Sequence, residues 1–351
     1  MKRIIGTYAF CHFAVDFCCV ATMLCAVSPA LRVAGPLSGA AAVVAYDMFA
    51  FMLQLPIGAA LDGYEGGGRA AMLSYALVAA GGIAAFLPET VFTIAAVALV
   101  SVGNALFHCA GGVDVLARSE GRAAPSGLFI CTGAFGVFLG TRASDLFGAL
   151  LLGAIVALML ASAVGTFLLI PGSRDHSTRH EIESPRLSPA ARTSIVLLVV
   201  TVALRSYAGM VMAFPWKGAL PLAVVAVCAV VAGKAAGGLV ADRIGLVRTS
   251  ALSLGLAALL FPIGWSVPAA GVAATFLFNF TMPITLIALA ELIPENRGLA
   301  FGAASFALAV GSAPALMGLS AASGPALCIL SLVSLAALLA GLTAARRSTD
   351  G

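Results

Sequence analysis

Charge is scarce in this sequence. Only 10% of its 351 residues are Asp, Glu, Lys or Arg, against about 25% in soluble domains. With 61% apolar residues and a mean hydropathy of +1.08, the chain has too little polar surface to cover a water-soluble fold of this size. No CxxC pair occurs, and all eight cysteines lie inside apolar runs. A disulfide scaffold and a dithiol redox site are therefore excluded, and the thiols read as small packing residues. A serine elbow, a phosphate-cradling glycine loop and a helix with two histidines at metal-ligand spacing are all missing. That leaves little machinery for an enzyme and no expected cofactor. No nucleic-acid partner is expected.

What the chain has instead is apolar runs of roughly 20 residues, the length that crosses about 30 Å of hydrocarbon at 1.5 Å per residue. Twelve are read, at 4–31, 37–61, 70–87, 91–117, 126–141, 146–170, 193–214, 219–241, 248–267, 269–292, 299–319 and 325–344. The first is too long for a signal peptide and carries His12 and Asp16, so it reads as a retained helix. One long polar stretch, 171–192, divides the chain into an N-terminal six-helix bundle (1–170) and a C-terminal one (193–351).

Lys and Arg placement sets the orientation. With the N-terminus in the cytoplasm, 14 basic residues fall inside and three outside (Arg32, Arg142 and Lys217); Arg205 and Lys234, within spans, complete the 19. This bias is a strong positive-inside signal. It predicts a multi-pass protein of the cytoplasmic membrane with both termini cytoplasmic.

The halves also repeat. Span 2 ends on Gly58-Ala-Ala-Leu-Asp62 and span 8 on Gly238-Leu-Val-Ala-Asp242-Arg243-Ile-Gly245-Leu-Val-Arg248, each leading into a basic turn. Parallel six-helix repeats with a midplane site between them are one known transporter plan.

The second of these stretches resembles the signature loop of the major facilitator superfamily. The first copy departs from it, with Gly63 where the basic residue would stand. Two further stretches resemble the fosmidomycin-resistance branch of proton-driven exporters: Met282-Pro283 through Glu291-Leu-Ile-Pro294 with Gly298 and Gly302, and Gly103-Asn104 through His108 with Gly133, Gly136 and Gly140. His12 and Asp16 are similar too. The chain departs from that branch at Cys109, usually proline there, and in the longer Gly111–Asp114 segment. The resemblance implies an all-α major facilitator fold of two pseudo-repeats, alternating access, and a central cavity lined by spans 1, 4, 7 and 10. It also implies a monomer. The loops carrying Asp62, Asp242, Arg243 and Arg248 would then gate by salt bridges to neighbouring helix ends.

A charge at a membrane-helix centre costs about 2.5–3.5 kcal/mol on insertion scales, so each is a functional candidate. His12 and Asp16 lie four apart on one face of span 1, as do Asn104 and His108 on span 4. Asp47 sits in span 2, with Gln54 on the same face. Arg205, deep in span 7, cannot deprotonate and needs either an anionic substrate or a carboxylate, with Asp16 and Asp47 as the candidates. Lys234 in span 8 can snorkel. Asn279 precedes Pro283 at a candidate hinge in span 10. The expected substrate-binding set is His12, Asp16, Asn104, His108, Arg205 and Asn279, with Asp16 and Asp47 as proton-coupling carboxylates.

The function read from this is secondary active transport of a small solute, proton-coupled, with an organic anion or drug-like compound as a candidate cargo and efflux as a candidate direction. The alternative is divalent transition-metal transport, with His12, Asp16 and His108 as ligands of mixed softness and Cys109 beside them. A membrane-embedded enzyme is the remote alternative.

Overall fold

The computed structural model describes residues 1–32, 35, 38–64, 67–170 and 187–349. Most of the 171–192 linker, with Arg174, Arg179 and Arg186, lies outside the described residues.

Lipid offers no partners for backbone polar groups, so apolar spans must be helical. The described residues form twelve helices long and apolar enough to cross a membrane: α1 (Lys2–Arg32), α2 (Ser38–Leu61), α3 (Gly68–Ala85), α4 (Thr90–Ala117), α5 (Ala123–Gly140), α6 (Ala143–Leu169), α7 (Pro189–Val211), α8 (Leu220–Ile244), α9 (Leu246–Gly264), α10 (Pro268–Leu292), α11 (Arg297–Leu316) and α12 (Gly324–Arg347). No long strand accompanies them among the described residues. Large side chains such as Ile94, Leu150, Leu259 and Ile329 point outward, which suits acyl chains rather than water.

Most ends fall within a few residues of the apolar runs. The largest shift is at α7, which starts at Pro189 rather than 193. Proline suits the first helical position, and the Ser188 hydroxyl accepts a hydrogen bond from the Ala191 N–H at 3.2 Å, so capping chemistry extends the helix beyond its apolar stretch.

Two spans are broken one turn before a proline. α2 is interrupted at Leu53, ahead of Pro56, and α10 at Asn279–Phe280, ahead of Pro283. Proline cannot donate to the carbonyl four residues back. In α10 the Asn279 carbonyl accepts from Met282 N–H instead, at 3.3 Å.

Helices approach one another through glycine, as membrane packing favours. A Cβ at Gly136 would strike the Phe13 carbonyl, fixing α5 against α1, and one at Gly311 would strike the Ala203 carbonyl, fixing α11 against α7. These pairs are equivalents under the repeat that equates α1 with α7 and α5 with α11.

Candidate functional site

The face of the helix ends that carries most of the basic residues is tightly shut. Asp62, just beyond α2, accepts from the Gly298 and Leu299 N–H groups that open α11, at 2.5 and 2.8 Å. Asp242, near the end of α8, accepts from the Ala123 and Ala124 N–H groups that open α5, at 2.7 and 3.1 Å. Both carboxylates thus satisfy orphan donors at a helix N-terminus in the other half of the chain, where the helix dipole also favours negative charge.

This corrects the expectation of salt bridges. Neither aspartate has an ion pair among the described residues, and Arg243 and Arg248 are exposed. The repeat therefore tolerates Gly63 beside Asp62, because the partner is backbone. Burial lifts the Asp62 carboxyl above the usual carboxylate range, while the Leu299 and Gly298 donors and the Arg297 charge pull it back.

Glycine makes both contacts close. A Cβ at Gly58 would collide with the Gly298 carbonyl, and one at Gly302 with that of Gln54. On the other pair, a Cβ at Gly238 would come within 2.6 Å of the Ala123 oxygen, and one at Gly127 within 2.6 Å of the Lys234 oxygen.

Above this closure lies a cavity of about 440 Å³. It reaches from Phe301, Leu286 and Ile130 at depth to Lys217 in the α7–α8 connection at the opposite face. Arg205, Lys234, Asp47 and Asn279 line it. Its walls come from α2, α5, α7, α8, α10 and α11. The expectation that spans 1 and 4 line the cavity together with 7 and 10 is met only by α7 and α10.

Arg205 is 7% exposed. One terminal N–H donates to the Phe278 carbonyl at 3.1 Å, and the guanidinium stands 5.1 Å from the Phe278 ring centre. Its Nε has no hydrogen-bond partner. Neither candidate pairing, with Asp16 or with Asp47, forms. The Lys234 ammonium does not snorkel away; it reaches across to the Ile130 carbonyl at 3.4 Å. Lys217 donates to the Met212 carbonyl at 3.0 Å, and burial holds its ammonium below the usual lysine range. The Asn279 amide donates to Thr275 of its own helix at 2.8 Å.

The other four expected substrate residues form a separate buried cluster. His12 and His108 are 6% and 8% exposed, and their Nε2 atoms are 2.9 Å apart. Asp16 oxygens lie 3.3 Å from His12 Nε2 and 3.5 Å from His108 Nε2, and the Asn104 amide donates to Asp16 at 3.2 Å. Gly133 brings the α5 backbone over the cluster: a Cβ there would overlap both Asp16 and His12. That cover, and mutual contact, turn these side chains away from the cavity.

The protonation of the pair follows from its partners. His12 Nδ1 faces the Phe129 carbonyl and His108 Nδ1 the Asn104 carbonyl, each at 2.9 Å. A carbonyl only accepts, so both Nδ1 atoms carry hydrogen, and in neutral rings both Nε2 atoms would present lone pairs to each other. At 2.9 Å the space between them suits a shared hydrogen or a bound cation. One proton gives an N–H···N bond of ordinary length, with Asp16 as counter-charge. A metal ion is the other option. The three ligand atoms lie within 4.8 Å of one another, and carbonyls orient both rings as they do at metal sites. Zinc-type bonds of 2.0–2.1 Å in tetrahedral array would set the nitrogens ~3.3 Å apart, wider than observed. Cys109 does not join the cluster; its Sγ meets the Gln54 carbonyl at 3.2 Å.

Asp114 was not among the expected site residues. It is 3% exposed and accepts from the Tyr8 hydroxyl at 2.7 Å and from Gly67 N–H at 2.9 Å, tying α1 and the start of α3 to α4. An acid inside an apolar run was the available signal.

No family model matches the chain, and none of the curated proteins matches it in sequence. Solved structures do match. The human organic anion transporter MFSD10 (TETRAN) is 13% identical with a TM-score of 0.74, covering 96% of this chain and 99% of that one. The major facilitator superfamily transporter FucP in the outward conformation is 13% identical, with a TM-score of 0.67 and 99% of each chain covered. A bacterial homologue of the iron transporter ferroportin in the outward-facing state is 17% identical, with a TM-score of 0.63, covering 99% and 100%. Resemblance to the fosmidomycin-resistance branch rests on the sequence stretches alone. At these identities the likeness is one of fold, and the fold of this chain is that of the major facilitator transporters.

Proposed function

We propose that this protein is a secondary active transporter that moves a small solute by alternating access, coupled to protons. One observation carries the reading: a cavity at mid-depth, walled by helices of both halves, is closed at one face by two repeat-related aspartate contacts, Asp62 to α11 and Asp242 to α5. Such contacts can form and break as the halves rock. The fold shared with FucP and MFSD10 supports it, as does the scarcity of machinery for an enzyme. The positive-inside bias supports a cytoplasmic location for the closed face and both termini. The chain acts as a monomer and needs no cofactor.

The proton sits in the His12–His108–Asp16 cluster, one bridging charge per cycle, with Asp47 on the cavity wall as a second carboxylate. Arg205 and Asn279 meet the solute. The test is purified protein in liposomes containing a pH-sensitive dye. Solute-dependent proton movement that disappears in His12→Gln and His108→Gln is expected; solute flux at unchanged rate without any proton movement would remove the coupling.

A second reading, divalent-metal transport, is favoured by the same three ligand atoms and by the likeness to the ferroportin homologue. The 2.9 Å separation of the Nε2 atoms and the absence of cluster residues from the cavity wall weigh against it.

A further inference from the structure

The cavity wall carries an imbalance of charge that the transport cycle alone does not explain. Arg205, Lys234 and Lys217 face it, against Asp47 as the single acid. None of the three cations has a carboxylate within ion-pair distance among the described residues. Arg205 is the extreme case. It is more than nine-tenths buried, permanently charged, and bound only through one terminal N–H to the Phe278 carbonyl, which leaves Nε–H unspent. A buried cation without a counter-charge is costly, and the Phe278 ring and carbonyl offset that only in part. Lys234 is held by a single long bond. The rest of the lining is mostly apolar, with Phe51, Ile130, Met282, Leu286 and Phe301 among its members. At about 440 Å³ the space suits a small ligand, and such sites combine apolar walls with a few polar groups that fix orientation.

We propose that the cavity binds a small organic anion, its oxyanion headgroup on Arg205 with Lys234 as a second positive pole, and its apolar body against the aromatic and aliphatic wall. The arginine supplies planar, multiple N–H donation to a carboxylate or phosphate oxygen pair. Lys234, a mobile point charge, follows the headgroup. The Phe278 carbonyl and ring fix the guanidinium plane beforehand, so little side-chain freedom is lost on binding. This inference rests on the transporter reading only in taking the cavity as the solute's place; the binding chemistry stands apart from any flux.

Binding to the full-length protein in detergent separates the two. Thermal shift and calorimetry would be run with benzoate, octanoate and phenyl phosphate, beside benzyl alcohol, benzylammonium and inorganic sulfate. The organic anions are expected to raise the melting temperature through preferential binding to the native state, and the other three are not. Arg205→Gln is expected to weaken anion binding at least tenfold, and Arg205→Lys less so. Lys234→Gln, which leaves Arg205 in place, is expected to weaken it severalfold, and it keeps the test alive if Arg205→Gln does not fold. The proposal falls if none of the anions stabilises the protein beyond benzyl alcohol, if sulfate does as well as they do, or if the anions bind Arg205→Lys and Lys234→Gln as tightly as the unaltered protein. Anion binding that depends on Arg205, with no flux in liposomes, would leave this site standing and overturn the transporter reading instead.

Discussion

Gly58→Ala tests the closure directly. A methyl group at Gly58 would overlap the Gly298 carbonyl oxygen and lie 2.7 Å from its carbon, where non-bonded contacts need about 3.5 Å. Both partners are backbone, so no side chain can swing aside; α2 and α11 must separate by roughly 1 Å at the crossing. The Asp62 bonds to Gly298 and Leu299, 2.5 and 2.8 Å long, then stretch beyond useful length. Hydrogen bonds to a charged group contribute about 1.5–3 kcal/mol each. Part of this returns, because the half-buried carboxylate regains water. A net loss of about 2 kcal/mol for the closed face is a reasonable balance, and at 1.4 kcal/mol per decade it shifts the closed-to-open ratio ~30-fold. Spin labels on exposed Glu120 and Glu295, in the connections preceding α5 and α11, would report it by double electron–electron resonance in a cysteine-replaced background. The expected result is a new, longer distance population in Gly58→Ala. Gly209→Ala and Gly255→Ala, where a Cβ meets nothing within 4 Å, should leave the distances unchanged. An unaltered distribution in Gly58→Ala would mean that the close backbone crossing does not hold this face shut.

Two further outcomes are expected. Gly133→Ala, whose Cβ would overlap Asp16 and His12, should break the histidine–aspartate cluster: solute binding to the detergent-solubilised protein persists while proton movement in liposomes is lost, and full retention of coupling would contradict the assignment. Mn²⁺, Fe²⁺ and Zn²⁺ should raise the melting temperature of the unaltered protein no more than Mg²⁺ does; stabilisation that disappears in both His12→Ala and His108→Ala would transfer the cluster to the metal reading.

The spans were legible because lipid imposes one rule on every segment alike: internal hydrogen bonding over a fixed length. Twelve apolar runs therefore became twelve helices among the described residues, with ends displaced by a few residues at most and furthest at α7, where the Ser188 cap extends the helix past its apolar part. The His12–Asp16 and Asn104–His108 spacings were equally plain, since four residues bring side chains to one helix face whatever surrounds them. What spacing does not carry is which way that face turns. His12 and His108 point at each other and away from the cavity because Gly133 and Gly136 let the α5 backbone take the place beside them. That is a property of a third helix more than a hundred residues from His12 in sequence.

The same limit explains the closed face. Gly58 and Asp62 were visible as one copy of a repeat, but their partners are the carbonyl and N–H groups of Gly298 and Leu299, and backbone atoms leave no mark in residue identity. A reading built on side-chain types assigns Asp62 a basic partner and finds Gly63 a defect. Once the partner is a helix N-terminus, Gly63 costs nothing, and the useful sequence mark becomes the glycine opposite. Gly298 opens α11 against Gly58, and Gly127 in α5 opposes Lys234 in α8. Closure by backbone contact has a functional consequence too. A salt bridge tolerates some ångströms of slack before its attraction fades, whereas these hydrogen bonds and carbonyl contacts vanish within about one. On the proposed reading, the two aspartate contacts would then act as nearly all-or-none elements, keeping the cavity from opening to both faces at once.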